Sequence, residues 1–204
     1  NQPWVKEIAY YDHFVEDQTV ETPHAYLIPQ AWREVIERLQ WNGVHMQRLE
    51  RDQSMQVRSY HIKSVTSRGH AYEGHMFHDA MELTTQTETI AARAGDVLVM
   101  LNQENARYAV ETLEPQALDS FFRWGFFNAV LEKKEAYSDY VFEDSAYEML
   151  QTEPALRTAF EAWKLARPEL LSNQTAVLDF IFENGQRFHE PEWRRYPVFG
   201  VMAL

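Results

Sequence analysis

The stretch Gly95 to Leu131, GDVLVMLNQENARYAVETLEPQALDSFFRWGFFNAVL, is where the chain changes from strand patterning to helix patterning. Gly95-Asp96 reads as a turn and Val97 to Leu101 as a buried strand, because a short unbroken apolar run bounded by turn residues fits a strand covered on both faces. Asn102 is placed as the N-cap of a following helix. Ala106, Ala109, Val110 and Leu113 form one face of that helix, and Pro115 ends it. Phe122, Phe126 and Val130 again fall at helical spacing, so a second helix around Trp124, with two aromatic faces, is expected to wedge between the sheet and another domain.

Before this stretch the chain reads mainly as sheet. Residues 1–22 mix Trp4, Tyr10, Tyr11 and Phe14 with Asp12, Glu16, Asp17 and Glu21, the pattern of an aromatic, acidic linker or docking strand. The folded body is expected at 23–204, with 23–101 mainly sheet plus one crossover helix and 102–204 mainly helical. Ala25 to Ile28 is a strand, and Trp32, Val35, Ile36 and Leu39 form a helix face that Asn42-Gly43 stops. Val44 to Leu49 returns as a strand, which makes a βαβ unit whose strands should run parallel. Ser54 to Thr66 and Tyr72 to Ile90 carry the residue types of strands with one wet face.

After Leu131, Ser145 and Glu148 have capping-box spacing, and Leu156, Phe160 and Trp163, then Val177, Leu178 and Ile181, form two apolar stripes. Tyr196 to Val201 is read as a final strand. The fold class is therefore α/β (mixed α+β): an N-terminal βαβ unit and mixed sheet, followed by a helical C-terminal half.

At 204 residues and 45% hydrophobic content the chain is long enough to bury a core. A net charge of -12, from 31 acids against 19 bases, opposes a phosphate backbone and an anionic bilayer, so neither nucleic acid nor a membrane surface is an expected partner. No apolar run approaches the ~20 residues of a membrane span. Zero cysteines exclude thiol nucleophiles and thiolate metal sites. G-x-S-x-G, S-x-x-K and P-loop signatures are absent too. The start at Asn1 is read as that of an excised or processed piece of something longer.

The densest group of possible ligands is His70-Ala71-Tyr72-Glu73-Gly74-His75-Met76-Phe77-His78. His70 and Glu73 have H-x-x-E spacing, and His189 is a conceivable third zinc ligand. Strand alternation sends His70 and Glu73 to opposite faces unless a turn or bulge at Gly69 or Gly74 intervenes. The competing structural reading makes Glu73 and His75 a buried, hydrogen-bonded pair supporting a tight passage at Gly74. Arg107 and Glu111 are expected as a helical ion pair, and Arg194 and Arg195, beside Trp193 and Tyr196, as a solvated basic pair.

The motifs P-H-A-Y-L-I-P (Pro23 to Pro29), W-N-G-V (Trp41 to Val44), Y-E-G-H (Tyr72 to His75), G-D-V-L-V (Gly95 to Val99), L-E-P-Q-A-x-D-S-F-F-R-W-G-F-F (Leu113 to Phe127), Y-V-F-E-D (Tyr140 to Asp144) and R-Y-P-V (Arg195 to Val198) run over most of the chain. Together they resemble bacterial proteins of the zinc carboxypeptidase (carboxypeptidase A-like) family. In those proteins the similar segment follows the catalytic domain. The resemblance therefore implies a non-catalytic C-terminal accessory domain of a periplasmic or secreted metallopeptidase. Zinc and the catalytic glutamate would lie in an upstream carboxypeptidase domain, the expected partner, with peptide substrate as a further possible one. It implies no catalytic residue and no cofactor in this chain; Tyr72, Glu73, His75, Asn102, Arg107 and Trp124 stand as structural or motif positions. Two rival readings stay open: a self-contained metal-dependent hydrolase using His70, Glu73, His75 or His78, and a peptide- or carbohydrate-binding module using exposed aromatics.

Overall fold

The computed structural model describes residues 3–13, 15–16, 18–132, 137–188 and 192–203; Phe14, Asp17 and His189, singled out above, lie outside them. A six-stranded sheet is formed by β1 (Ala25–Ile28), β2 (Gln47–Arg48), β3 (Gln53–Ser67), β4 (His78–Ala92), β5 (Val97–Met100) and β6 (Phe199–Val201), in the order β2-β5-β1-β6-β3-β4. The helices are α1 (Arg33–Trp41), α2 (Ala106–Leu113), α3 (Asp139–Thr152), α4 (Pro154–Ala166) and α5 (Gln174–Asn184). The mixed α+β class and the helical second half are as expected.

Strand pairing departs from the parallel unit expected of β1, α1 and β2. Both strands pair antiparallel with β5, which lies between them, so they run in the same direction without touching. Every strand ladder among the described residues is antiparallel. Local patterning defines a β-strand and a crossover helix but carries no information about a distant strand that inserts between them. The stop after α1 is as expected: Gly43 takes φ 72, Gly43 N–H donates to Gln40 O and Val44 N–H to Leu39 O, a Schellman closure.

The last strand is central. β6 pairs with β1 through Ala25–Val201 to Leu27–Phe199, and meets β3 at Arg58–Gly200, joining the long β3–β4 hairpin to the rest of the sheet. One sheet face packs Tyr26, Ile28, Val97, Val99 and Val198 against α1, α2 and the aromatic segment Phe121 to Phe127. The other face gathers residues of five strands, Ala25 and Leu27, Val57, Ala92, Leu98, and Phe199 and Val201, with no helix residue in the cluster. The sheet thus curls to close a small second core within itself.

Three local expectations are corrected. Asn102 lies in the bends before α2, not at its cap. Asn105 precedes that helix, and its side chain donates instead to Gly43 O (2.9 Å), while Gln103 holds both backbone groups of His45. Residues 121–127 form successive turns, not a helix, followed by one 3-10 turn at Asn128–Leu131. Ser120 Oγ bonds the backbone at Pro115 and Arg123, and Gly125 takes φ 79, both of which compete with helical continuation. Ser145 and Glu148 lie inside α3, so they cap nothing.

The helices α3, α4 and α5 are an excursion between Leu131 and the returning tail. Phe142, Ala146, Met149, Leu156, Leu178, Ile181 and Phe182 form a third core, to which no strand contributes. Pro154 opens α4, and Asn173 Oδ1 accepts the Ala176 N–H to cap α5. No helix of the described residues is long and apolar enough to cross a membrane.

Phe142→Ala should remove about 3–5 kcal/mol from the three-helix unit. Hydrogen exchange should then lose protection across 139–184 while β1 and β5 keep theirs; simultaneous loss in both would show that the cores fold as one.

Candidate functional site

A buried polar node lies where β1, β3 and the end of α2 meet. Glu114 is 6% exposed, and its carboxylate accepts hydrogen bonds from Tyr26 OH (2.6 Å), Tyr60 OH (2.8 Å) and Arg58 Nη2 (3.1 Å). These three donors satisfy a carboxylate that would be costly to bury alone. Burial and then the neighbouring Glu114 charge push the phenol of Tyr26, and likewise that of Tyr60, far above the ordinary tyrosine range. Tyr196, fully buried, is raised in the same direction by burial, and its hydroxyl donates to Leu113 O (2.7 Å).

The node floors a cleft of about 750 Å³. Its walls are Tyr60, Leu83 and Thr85 of the hairpin, Val110 and Glu111 of α2, the segment Pro115 to Leu118, Arg123, and residues Val15 to Glu21 of the N-terminal strap among those described. Arg58 Nη1 donates to Glu21 O (2.6 Å), and Gln18 to Gln116 (2.9 Å), which holds the strap across the opening. Farther out, Trp4, Tyr10 and Tyr11 are each more than 80% exposed. Sequence reading picked out L-E-P at 113–115 without giving Glu114 a role. The available signal was Tyr26 within the otherwise apolar strand AYLI: a buried phenol needs a hydrogen-bond partner.

The His70 to His78 group forms the tip of the β3–β4 hairpin. Tyr72 and His75 exchange backbone hydrogen bonds of 2.9 Å each, and the two residues between them, Glu73 (φ 49) and Gly74 (φ 82), take positive φ. That is a two-residue type I′ turn. The tight passage at Gly74 is as expected, but Glu73 is exposed at the turn, so the expected buried pair with His75 does not form. His75 instead packs on Phe126 (5.3 Å) and Trp124 (5.8 Å), and Phe77 and Tyr72 also meet Trp124. The hairpin tip therefore clasps the Trp124 indole, whose Nε1–H donates to Asp119.

His78 is 3% exposed, with one ring nitrogen at 2.8 Å from Ser67 Oγ and the other at 2.7 Å from Asn128 Oδ1. Both of its ligating positions are thus engaged within the protein. His70 lies exposed in the bend beyond Gly69. Among the described residues no three His, Asp or Glu side chains come together as a metal-binding group.

Arg107 and Glu111 form the helical pair expected of them, at 3.6 Å. Arg194 and Arg195 are not a solvated pair. Arg194 stacks over Trp193 and donates to Lys63 O (2.7 Å), while Arg195 pairs with Glu88 (3.3 Å) and Glu192 (3.4 Å). Both pin the returning tail against the hairpin, a tertiary use that residue spacing near a terminus cannot reveal.

Replacing Glu114 by Ala should cost about 3–5 kcal/mol, since it strands the Arg58 charge in a buried site. The tyrosines give a pH signature. Their folded values are raised, so the stability they contribute is complete below the ordinary value of 10.0 and is lost progressively as pH climbs beyond it. Chemical denaturation should show stability falling above about pH 10, with a shallower fall in Tyr26→Phe; an unchanged slope in that variant would contradict the assignment.

No protein-family model and no solved structure matches the chain. Over 107 residues, 52% of this chain, it is 36% identical to carboxypeptidase 2 of Trichophyton tonsurans and 36% identical to carboxypeptidase 2 of Trichophyton equinum. Carboxypeptidase 2 of Trichophyton rubrum is 35% identical over the same length. These relatives are fungal, where the sequence motifs had suggested bacterial proteins. The aligned stretch is 20% of each relative, so the chain is similar to a minor part of a carboxypeptidase, and it spans about a fifth of the length of the curated relatives it matches.

Proposed function

We propose that this chain is a non-catalytic accessory region of a carboxypeptidase-like protein, in which it buttresses the catalytic domain and walls one side of its substrate cleft. The observation that carries the reading is the match itself: 107 residues align at 36% identity with proteins named carboxypeptidase 2, yet make up only 20% of them. Two features suit such a role. The strap presents Trp4, Tyr10 and Tyr11 to solvent, and the hairpin tip holds Tyr72 and Trp124 together at the surface, so both offer apolar surface to a neighbouring domain. In this reading the zinc and the general base belong to the rest of the longer protein, which is exported to the periplasm or outside the cell.

The isolated 204-residue chain, incubated with zinc and a peptide bearing a free C-terminus, should release no C-terminal amino acid and should retain no stoichiometric zinc after dialysis. Retained zinc with turnover that disappears in Glu73→Gln would overturn the proposal in favour of a self-contained hydrolase at the hairpin tip.

A further inference from the structure

The outer edge of β4 is the least protected feature of the sheet. β4 lies at the end of the strand order, runs from His78 to Ala92, and pairs on one side only, with β3. At its start the edge is covered: His78 N–H donates to Arg123 O, and the Arg123 guanidinium donates to the carbonyls of His78 and Asp79. From Ala80 to Ala92 no other described segment makes a backbone hydrogen bond to it. Since an antiparallel strand turns every second residue's N–H and C=O away from its partner, this leaves a long row of donors and acceptors open.

Sheet edges are ordinarily blunted by lysine, proline, bulges or brevity. The segment MELTTQTETIAA, Met81 to Ala92, has no lysine, arginine, proline or glycine. The register skips Asp79 within β4, at the covered end, while the shift beside Leu83 places its extra residue, Lys63, in β3. Between Ala80 and Ala92 the edge itself is therefore unbulged. It is rich in threonine, which favours extended backbone.

Charge selects the occupant. Of the three carboxylates on β4, Asp79 is held by Arg68 (2.9 Å) and Glu88 by Arg195 (3.3 Å), whereas Glu82 is exposed and has no ion-pair partner among the described residues. The chain as a whole carries -12, so a second copy would bring like charge to like charge. A strand laid beside Leu83 and Thr85 would also send alternate side chains toward the cleft that these two residues wall. We propose that the β4 edge from Ala80 to Ala92 accepts an extended, cationic polypeptide segment as a seventh strand, bound through its main chain and favoured by the exposed Glu82 carboxylate and the chain's net charge of -12. This inference concerns the chain's own surface and holds with or without the accessory reading, because its test needs no carboxypeptidase domain.

The test uses a fluorescent ten-residue peptide of alternating threonine and lysine, its fully N-methylated counterpart, which keeps the charge but loses every backbone donor, and a threonine–glutamate version. The 204-residue chain should bind the first saturably, and binding should weaken about tenfold or more on N-methylation, the equivalent of one or two net hydrogen bonds. The glutamate peptide should bind more weakly still. Alternate amides between Ala80 and Ala92 should gain exchange protection, and Thr85→Lys with Thr87→Lys, which gives the edge the guard it lacks, should reduce binding without lowering the melting temperature. Equal binding of the methylated peptide would reduce the effect to charge alone and overturn the proposal. So would the absence of saturable binding, or sedimentation showing that a second copy already fills the edge.

Discussion

The architecture depends on where the last strand goes. β6 enters between β1 and β3, and without it the β3–β4 hairpin would share no ladder with the β2-β5-β1 group. The seam is close-fitting at Gly200, where an added Cβ would meet Pro23 at 3.4 Å and the Arg58 side chain at 3.5 Å. Arg58 runs from that contact to Glu114, so the strand junction and the buried ionic node share one side chain. Tyr196, two residues before Val198 in the same returning tail, stacks edge-on against Phe122 and Phe127 and ties the aromatic segment to the sheet. A tail that follows the three-helix unit therefore completes a core begun some 170 residues earlier, at Tyr26.

This arrangement explains how the cleft, the hairpin tip and the open β4 edge come to lie where they do. The node fixes the end of α2 against β1 and β3, and thereby sets the floor of the cleft. Phe121 to Phe127, denied a helix by Ser120 and Gly125, folds into turns that deliver Trp124 to the hairpin tip. Arg123, from the same turns, covers the first residues of β4 and leaves the remainder open.

Elements with strong local periodicity were legible in the sequence: β1, α1, β5, α2 and the last strand lie close to where their residues placed them. The Schellman stop at Asn42-Gly43 was legible for the same reason, since it is written in adjacent residues. What could not be read were choices made by distant partners. Insertion of β5 between β1 and β2, the use of Gln103 and Asn105 to hold the loop after α1, and the contacts of Arg194 with Lys63 and of Arg195 with Glu88 all depend on segments far away in the chain. The histidine group shows the limit most clearly. Its density suggested ligands, but the turn at Glu73-Gly74 and the hydrogen bonds of His78 are settled by hairpin geometry and by Asn128, fifty residues on.

The proposed role of this region as a support for a carboxypeptidase-like protein is tested most directly by comparing its hydrogen exchange alone and within the longer protein. The account predicts that, once joined, new protection appears in the strap around Trp4, Tyr10 and Tyr11 and at the hairpin tip around Tyr72 and Trp124, with the buried sheet unchanged. Identical exchange in the two forms would mean that the region touches no catalytic domain, and would contradict the account.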